Sequence, residues 1–164
     1  MQTSEQSPGV GDGGAMRSLG KLDVSYGQVS VFWAILAKPF NDWSEAHVRQ
    51  GFAWRPGSVS FKTLDDGPMD VSVTIGASAV SADASRVIRV PFTIEKPGDL
   101  EVATIGDTRP LKIEPGEYAL TFEHGLSSSN LWCHFIFHRV RHAIAAAILV
   151  ADAELAPPPA LLLG

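Results

Sequence analysis

Hydrophobic residues in this chain alternate with polar ones in runs too short for any regular element but a β-strand. Ile88, Val90, Phe92 and Ile94 alternate with Arg89, Pro91, Thr93 and Glu95, and Lys96-Pro97-Gly98-Asp99 then turns the chain. Val71, Val73 and Ile75 alternate with Asp70, Ser72 and Thr74. Tyr118, Leu120 and Phe122 do the same after the turn Glu114-Pro115-Gly116-Glu117. A period of two puts successive side chains on opposite faces of a strand, so each run offers one apolar face to a core. Similar runs occupy 22–33, 58–64, 100–105, 109–114, 130–139 and 147–155. Turn residues at such close intervals predict an all-β fold, a two-sheet antiparallel β-sandwich of about eight to ten short strands. A closed barrel is the alternative, because nothing in the pattern sets strand order. Pro91 lacks an N–H and predicts an edge or a bulge at its position.

One segment breaks the period. Asp42-Trp43-Ser44-Glu45 supplies an acceptor side chain at an N-cap and a Glu three residues on, as in a capping box, and Gly51 suits the position after a helix end. A helix of two turns is therefore predicted between strands, with Gly51 to Gly57 as its closing loop. Met1 to Leu19 reads as a flexible, Gly-rich lead-in, and residues 156–164, with Pro157, Pro158 and Pro159, as an extended tail. The domain itself is expected over 20–155.

The net charge of −5 argues against non-specific nucleic-acid binding, which needs clustered Lys and Arg. It suits a basic partner. The single cysteine, Cys133, excludes an internal disulfide framework and a multi-cysteine zinc site. No secretory signal and no membrane-spanning run are read, so a cytoplasmic location is expected.

Catalytic motifs are missing from the sequence. His134, His138 and His142 are spaced by four, with His124 upstream, but residues four apart on a strand lie roughly 13 Å from one another, too far to share an ion. Neither a metal nor another cofactor is expected. Cys133 beside His134 is a thiol next to an imidazole, yet neighbouring strand residues face opposite ways and a buried structural cysteine is the simpler reading. Asp65-Asp66-Gly67 reads as a hairpin turn, and Asp42 with Glu45 as a helix cap. The aromatic and charged stretch from Phe40 to Phe61 has the composition of a binding hot spot, with Trp43, Phe52 and Trp54 beside Arg49 and Arg55. Its alternative is a plug at one end of the sandwich, for which Trp43 is better suited than Trp54.

Several stretches taken in order resemble the competence protein J family, inhibitors of DNA-entry nuclease. They are Leu22-Asp23-Val24-Ser25-Tyr26-Gly27, then Asn41-Asp42-Trp43-Ser44-Glu45-Ala46, then Gly51-Phe52-Ala53 and Gly57-Ser58-Val59-Ser60-Phe61. Val87-Ile88-Arg89-Val90-Pro91-Phe92 and the hairpin Leu111 to Thr121 continue the likeness, which spans about 20–125. The last forty residues match only loosely. The resemblance implies a non-enzymatic protein that binds and blocks a bacterial nuclease. Such a protein must cover a positively charged, phosphate-binding site, for which carboxylates steer association and aromatics anchor it. On those grounds Asp42, Glu45, Phe52, Trp54, Asp65 and Asp66 are the candidate contact residues. A β-sandwich that binds a small ligand or carbohydrate through Trp43 and Trp54 is the second reading, and a histidine-dependent metalloenzyme the third.

Overall fold

The computed structural model describes residues 14–158 and 160–164. The chain folds into two stacked β-sheets with open edges, a sandwich and not a barrel. The first sheet has six strands in the order β1 (Arg17–Val24), β5 (Gly67–Ile75), β10 (Asn130–Arg139), β9 (Gly116–Ser127), β6 (Arg86–Ile94) and β11 (Ala147–Val150). The second has five, in the order β3 (Phe52–Arg55), β4 (Ser58–Lys62), β2 (Gln28–Trp33), β7 (Asp99–Ala103) and β8 (Thr108–Lys112). One helix, α1 (Glu45–Gln50), sits between β2 and β3. Every pairing is antiparallel, as expected, except that of β5 with β10, which is parallel.

Several local expectations are corrected. The run 22–33 is two strands, broken where Tyr26 and Gly27 both take left-handed φ of 57° and 62°. β3 lies in the segment read as a loop. Arg17 to Leu19 belong to β1, so the lead-in is sheet from Arg17 onward, and residues 1–13 lie outside the described residues. Asp65-Asp66 closes no hairpin: it carries the chain from β4 in the second sheet to β5 in the first. The helix is capped by Ser44, whose hydroxyl accepts from the His47 N–H, while the His47 ring accepts from the Ser44 N–H. Asp42 and Glu45 therefore do not form the box.

The two inner faces make one core. Leu22, Val71, Val90, Leu120 and Phe137 come from the first sheet, and Val29, Val31, Val59, Leu100 and Val102 from the second. Phe61 stacks across the gap on Phe122 with ring centroids 4.4 Å apart. Each such fully buried side chain contributes roughly 1.5–3 kcal/mol relative to exposure. The Tyr118 hydroxyl donates to the Glu114 carbonyl (2.7 Å), fixing the corner where β9 begins.

Pro91 shows how the sheet manages an incomplete edge. β11 reaches only Val87 to Arg89 of β6, leaving the rest of that side unpaired. There the indole N–H of Trp54 donates to the Pro91 carbonyl (2.7 Å) and that of Trp33 to the Thr93 carbonyl (2.9 Å). Both tryptophans come from the second sheet, so the open stretch of β6 is sealed by side chains instead of a strand.

The chain after β11 folds back on the helix. Arg86, fully buried, donates to both carboxylate oxygens of Asp152 (3.0 Å each), to Glu154 (2.9 Å) and to the Lys62 carbonyl (2.7 Å). Leu155 is buried beside Gly51, where a Cβ would stand 2.8 Å from its methyl group. The amide side chain of Gln50 bonds the Leu162 backbone in both directions. This part of the expected extended tail therefore covers one side of α1.

Candidate functional site

Strand pairing gathers three connections at one end of the sandwich. Val24 lies opposite Gly67 and Gln28 opposite Lys62, so the Ser25–Gly27 turn meets the Thr63–Asp66 crossing. Ser30 lies opposite Ala103, which brings the β7–β8 turn to the same end. Hydrogen bonds lock these connections together. The Gly27 N–H donates to Asp66 (2.8 Å), the Thr63 N–H to the Gly27 carbonyl (2.8 Å), and the Asp23 N–H to Asp107 (3.2 Å). That last bond, with the Arg109 guanidinium behind it, holds the Asp107 carboxyl below the usual carboxylate range.

The end is acidic and carries an exposed ring. Asp23, Asp65 and Asp66 are solvent-exposed, and none is ion-paired among the described residues. Tyr26 is 80% exposed although a bulky residue seldom adopts its left-handed backbone. Beside it an apolar groove of about 300 Å³ runs between Tyr26, Trp43, Val48 and the stem of Lys62. Trp43 is half-buried, with its indole nitrogen 3.4 Å from Gln28 Oε1.

The remaining candidates separate. Glu45 is exposed on the first turn of α1, where its charge suits the helix dipole. Asp42 faces a different cleft of about 600 Å³, shared with Trp54, Phe40 and Gly164. Phe52 is fully buried in the core and reaches no surface, which removes it from any contact set. It was expected outside because β3 was read as a loop. Trp54 shows only part of its ring, since its N–H is committed to Pro91. Two further polar side chains of its cleft are engaged as well. Arg55 donates to Asn41 and to the Lys38 carbonyl, and Asn41 donates to Ser58 and Ser60. They fasten the 38–41 segment to the second sheet.

The histidines fall on different faces. The β9–β10 hairpin pairs His124 with Cys133 and His134 with Glu123, so the two rings point to opposite sides of the sheet. His124 faces inward, donating from Nδ1 to the Trp132 carbonyl (2.7 Å) and accepting the Leu64 N–H at Nε2 (2.8 Å). Burial lowers its pKa to about 4, so the ring is neutral. Cys133 lies in the core, where burial pushes its thiol far above the usual range. His134 lies on the outer face, with Thr74 Oγ1 2.7 Å from Nε2 and Glu123 Oε1 3.3 Å from Nδ1. Hydroxyl, imidazole and carboxylate stand in the order of a nucleophilic triad. Thr74 and Glu123 are 2% and 1% exposed, however, and Glu123 also accepts the Ser81 N–H (2.9 Å). The row is sealed and ties β5, β10, β9 and the β5–β6 loop together. His138 and His142 are exposed and apart from it.

Sequence reasoning missed Tyr26. Its signal was present, an aromatic next to Gly where the apolar parity shifts from Leu22, Val24 and Tyr26 to Val29 and Val31, but 22–33 reads as one run when only the density of apolar residues is followed. No described helix is long and apolar enough to cross a membrane.

Comparison with known proteins agrees with this architecture. The profile of the competence protein J family matches residues 21–138, from β1 to the end of β10. The DNA-entry nuclease inhibitor of Bacillus subtilis (strain 168) is 24% identical over 102 residues, which is 62% of this chain and 76% of that protein. The crystal structure of ComJ, inhibitor of the DNA degrading activity of NucA, from Bacillus subtilis has the same fold. Its TM-score is 0.69 at 20% identity, over 77% of this chain and 99% of that one.

Proposed function

Because the chain belongs to the competence protein J family, we propose that it is a protein inhibitor that binds a bacterial DNA-entry-type nuclease and blocks it. The observation that carries this reading is the family match, which takes in both sheets and all the turns at the acidic end. Physical chemistry supports it at that end. A nuclease site attracts phosphates with positive charge, and unpaired carboxylates at Asp65, Asp66 and Asp23 complement such a field and raise the association rate. Tyr26 and Trp43 supply the large rigid rings that dominate binding energy at the centre of an interface. Glu45 extends the acidic rim, while Asp42 and Trp54 line a separate cleft and would contact only a partner that reaches beyond that end. Inhibition by covering needs no catalytic group, and the Thr74–His134–Glu123 row, closed to solvent, is counted as structural. The cytoplasmic placement stands as part of the same proposal.

A small-ligand or carbohydrate module is the second reading, and the 600 Å³ cleft beside Trp54 is the observation in its favour. It ranks lower because Arg55, Asn41 and the Trp54 N–H are already bonded to the protein. The test is a titration of DNA cleavage, using the nuclease encoded nearest to this gene. Stoichiometric loss of cleavage with a co-eluting complex is expected. Replacing Asp65 and Asp66 together by Lys should weaken the complex by about 10²-fold, mostly through slower association. Absence of inhibition by the unaltered protein, with an active nuclease, would overturn the reading.

A further inference from the structure

Arg89 lies on the outer face of the first sheet and is poorly satisfied. Its Nε stands 3.4 Å from the Thr121 hydroxyl, and no other protein acceptor meets its guanidinium among the described residues. A guanidinium carries five N–H donors, so four are left over on a half-buried side chain. Arg17, Arg49 and Arg141 are exposed to solvent, and the remaining arginines are bonded to the protein. Arg86 reaches two carboxylates and a carbonyl, Arg109 bonds Asp107 and three carbonyls, and Arg139 bonds Glu114 and the Pro115 carbonyl.

The free donors of Arg89 border a pocket of about 300 Å³. Its floor is the sheet itself, where Ala119, Thr121 and Ile136 are nearly buried. Ala77 and Ser78 of the β5–β6 loop wall one side, and Val140 and Ile144 of the β10–β11 loop the other. His138 adds a ring nitrogen donor or acceptor at the margin. Among the described residues no carboxylate lines the pocket, although the chain carries a net charge of −5. It opens toward the end of the sandwich opposite Asp65 and Asp66, because Val140 follows β10 while Ala77 and Ser78 follow β5.

We propose that this pocket binds a small monocarboxylate with a short apolar body, the carboxylate on Arg89 and the hydrocarbon over Ile136 and Ala119. The fork of a guanidinium matches a carboxylate, and a floor of Ile and Ala rejects a fully hydrated ion. The volume is at the small end for ligand pockets, which suits a short body. This site is independent of nuclease inhibition.

Hexanoate is the probe, titrated into the full chain with amide and methyl NMR shifts recorded. Saturable shifts at Thr121, Ile136 and Ala119 are expected, with binding at least about tenfold weaker in Arg89→Gln. Ser78→Leu, which narrows the mouth and leaves the guanidinium in place, should weaken it too. Hexan-1-ol and inorganic phosphate should each bind far less well than hexanoate. Three results would overturn the proposal: no saturation by hexanoate at about 10 mM, equal affinity in a folded Arg89→Gln protein, or equal binding of the alcohol or the phosphate.

Discussion

His124 is a neutral imidazole wedged between two backbone groups, and its position makes stability depend on pH. In the unfolded chain the ring has an ordinary pKa near 6.5, against about 4 when folded. Between those values the unfolded state binds more protons, so stability rises with pH there and falls as pH drops below 6.5. From pH 6.5 to 5 the loss should reach about 1.5 kcal/mol, a window in which most carboxylates remain charged. Urea melts at those two values measure it, and His124→Gln, itself less stable, should show a much flatter dependence. A wild-type stability unchanged across that interval would mean that the ring does not stay neutral. Cys133, its cross-strand neighbour, faces the same dry interior. That explains why the Cys133-His134 pair in the sequence marks two faces of a strand and not a reactive thiol.

Elements were legible where alternation was long and uninterrupted. The runs around Ile88, Val71 and Leu120 became β6, β5 and β9, because one face of each is core. Alternation marks a break near Tyr26, where the apolar parity passes from Leu22, Val24 and Tyr26 to Val29, Val31 and Trp33, but it does not show that the residues between form a turn. It could not show β3 either, where Phe52, Ala53 and Trp54 are apolar in succession: Phe52 faces the core, Ala53 is covered from outside, and Trp54 reaches across to β6. The parallel pairing of β5 with β10 joins residues about sixty apart, which no local pattern encodes. The site was legible in part for the same reason. Two adjacent aspartates in a connection had to be exposed, whereas the exposure of an aromatic depends on which strand it joins. Tyr26 carries a prediction at this level. Asn fits a left-handed turn position better, so Tyr26→Asn should stabilise the fold by about 0.5–1 kcal/mol while weakening the nuclease complex at least tenfold. Thermal melting and a binding titration on the same preparation check both halves. A turn that gained stability with no loss of binding would remove Tyr26 from the interface.

The whole molecule is closed by residues that come late in the chain. β11 and everything after it lie beyond the 21–138 family match, yet Asp152 satisfies a guanidinium buried at the start of β6. Removing one member of such a pair strands the other, so Asp152→Ala should cost about 3–5 kcal/mol and lower the melting temperature accordingly. Glu154, half-exposed, can take over only part of the role. A change below about 1 kcal/mol would mean that solvent reaches Arg86 freely. Trp33 and Trp54 close the molecule in a second way, each held by its indole N–H to a carbonyl of the opposite sheet. Indole emission shifts with the polarity and hydrogen bonding around the ring, so these two residues form a natural optical gauge of how tightly the sheets are clasped. With Trp43 and Trp132 replaced by Phe, a partner that spreads the sandwich would redden it, and one that merely covers the acidic end would leave it unchanged.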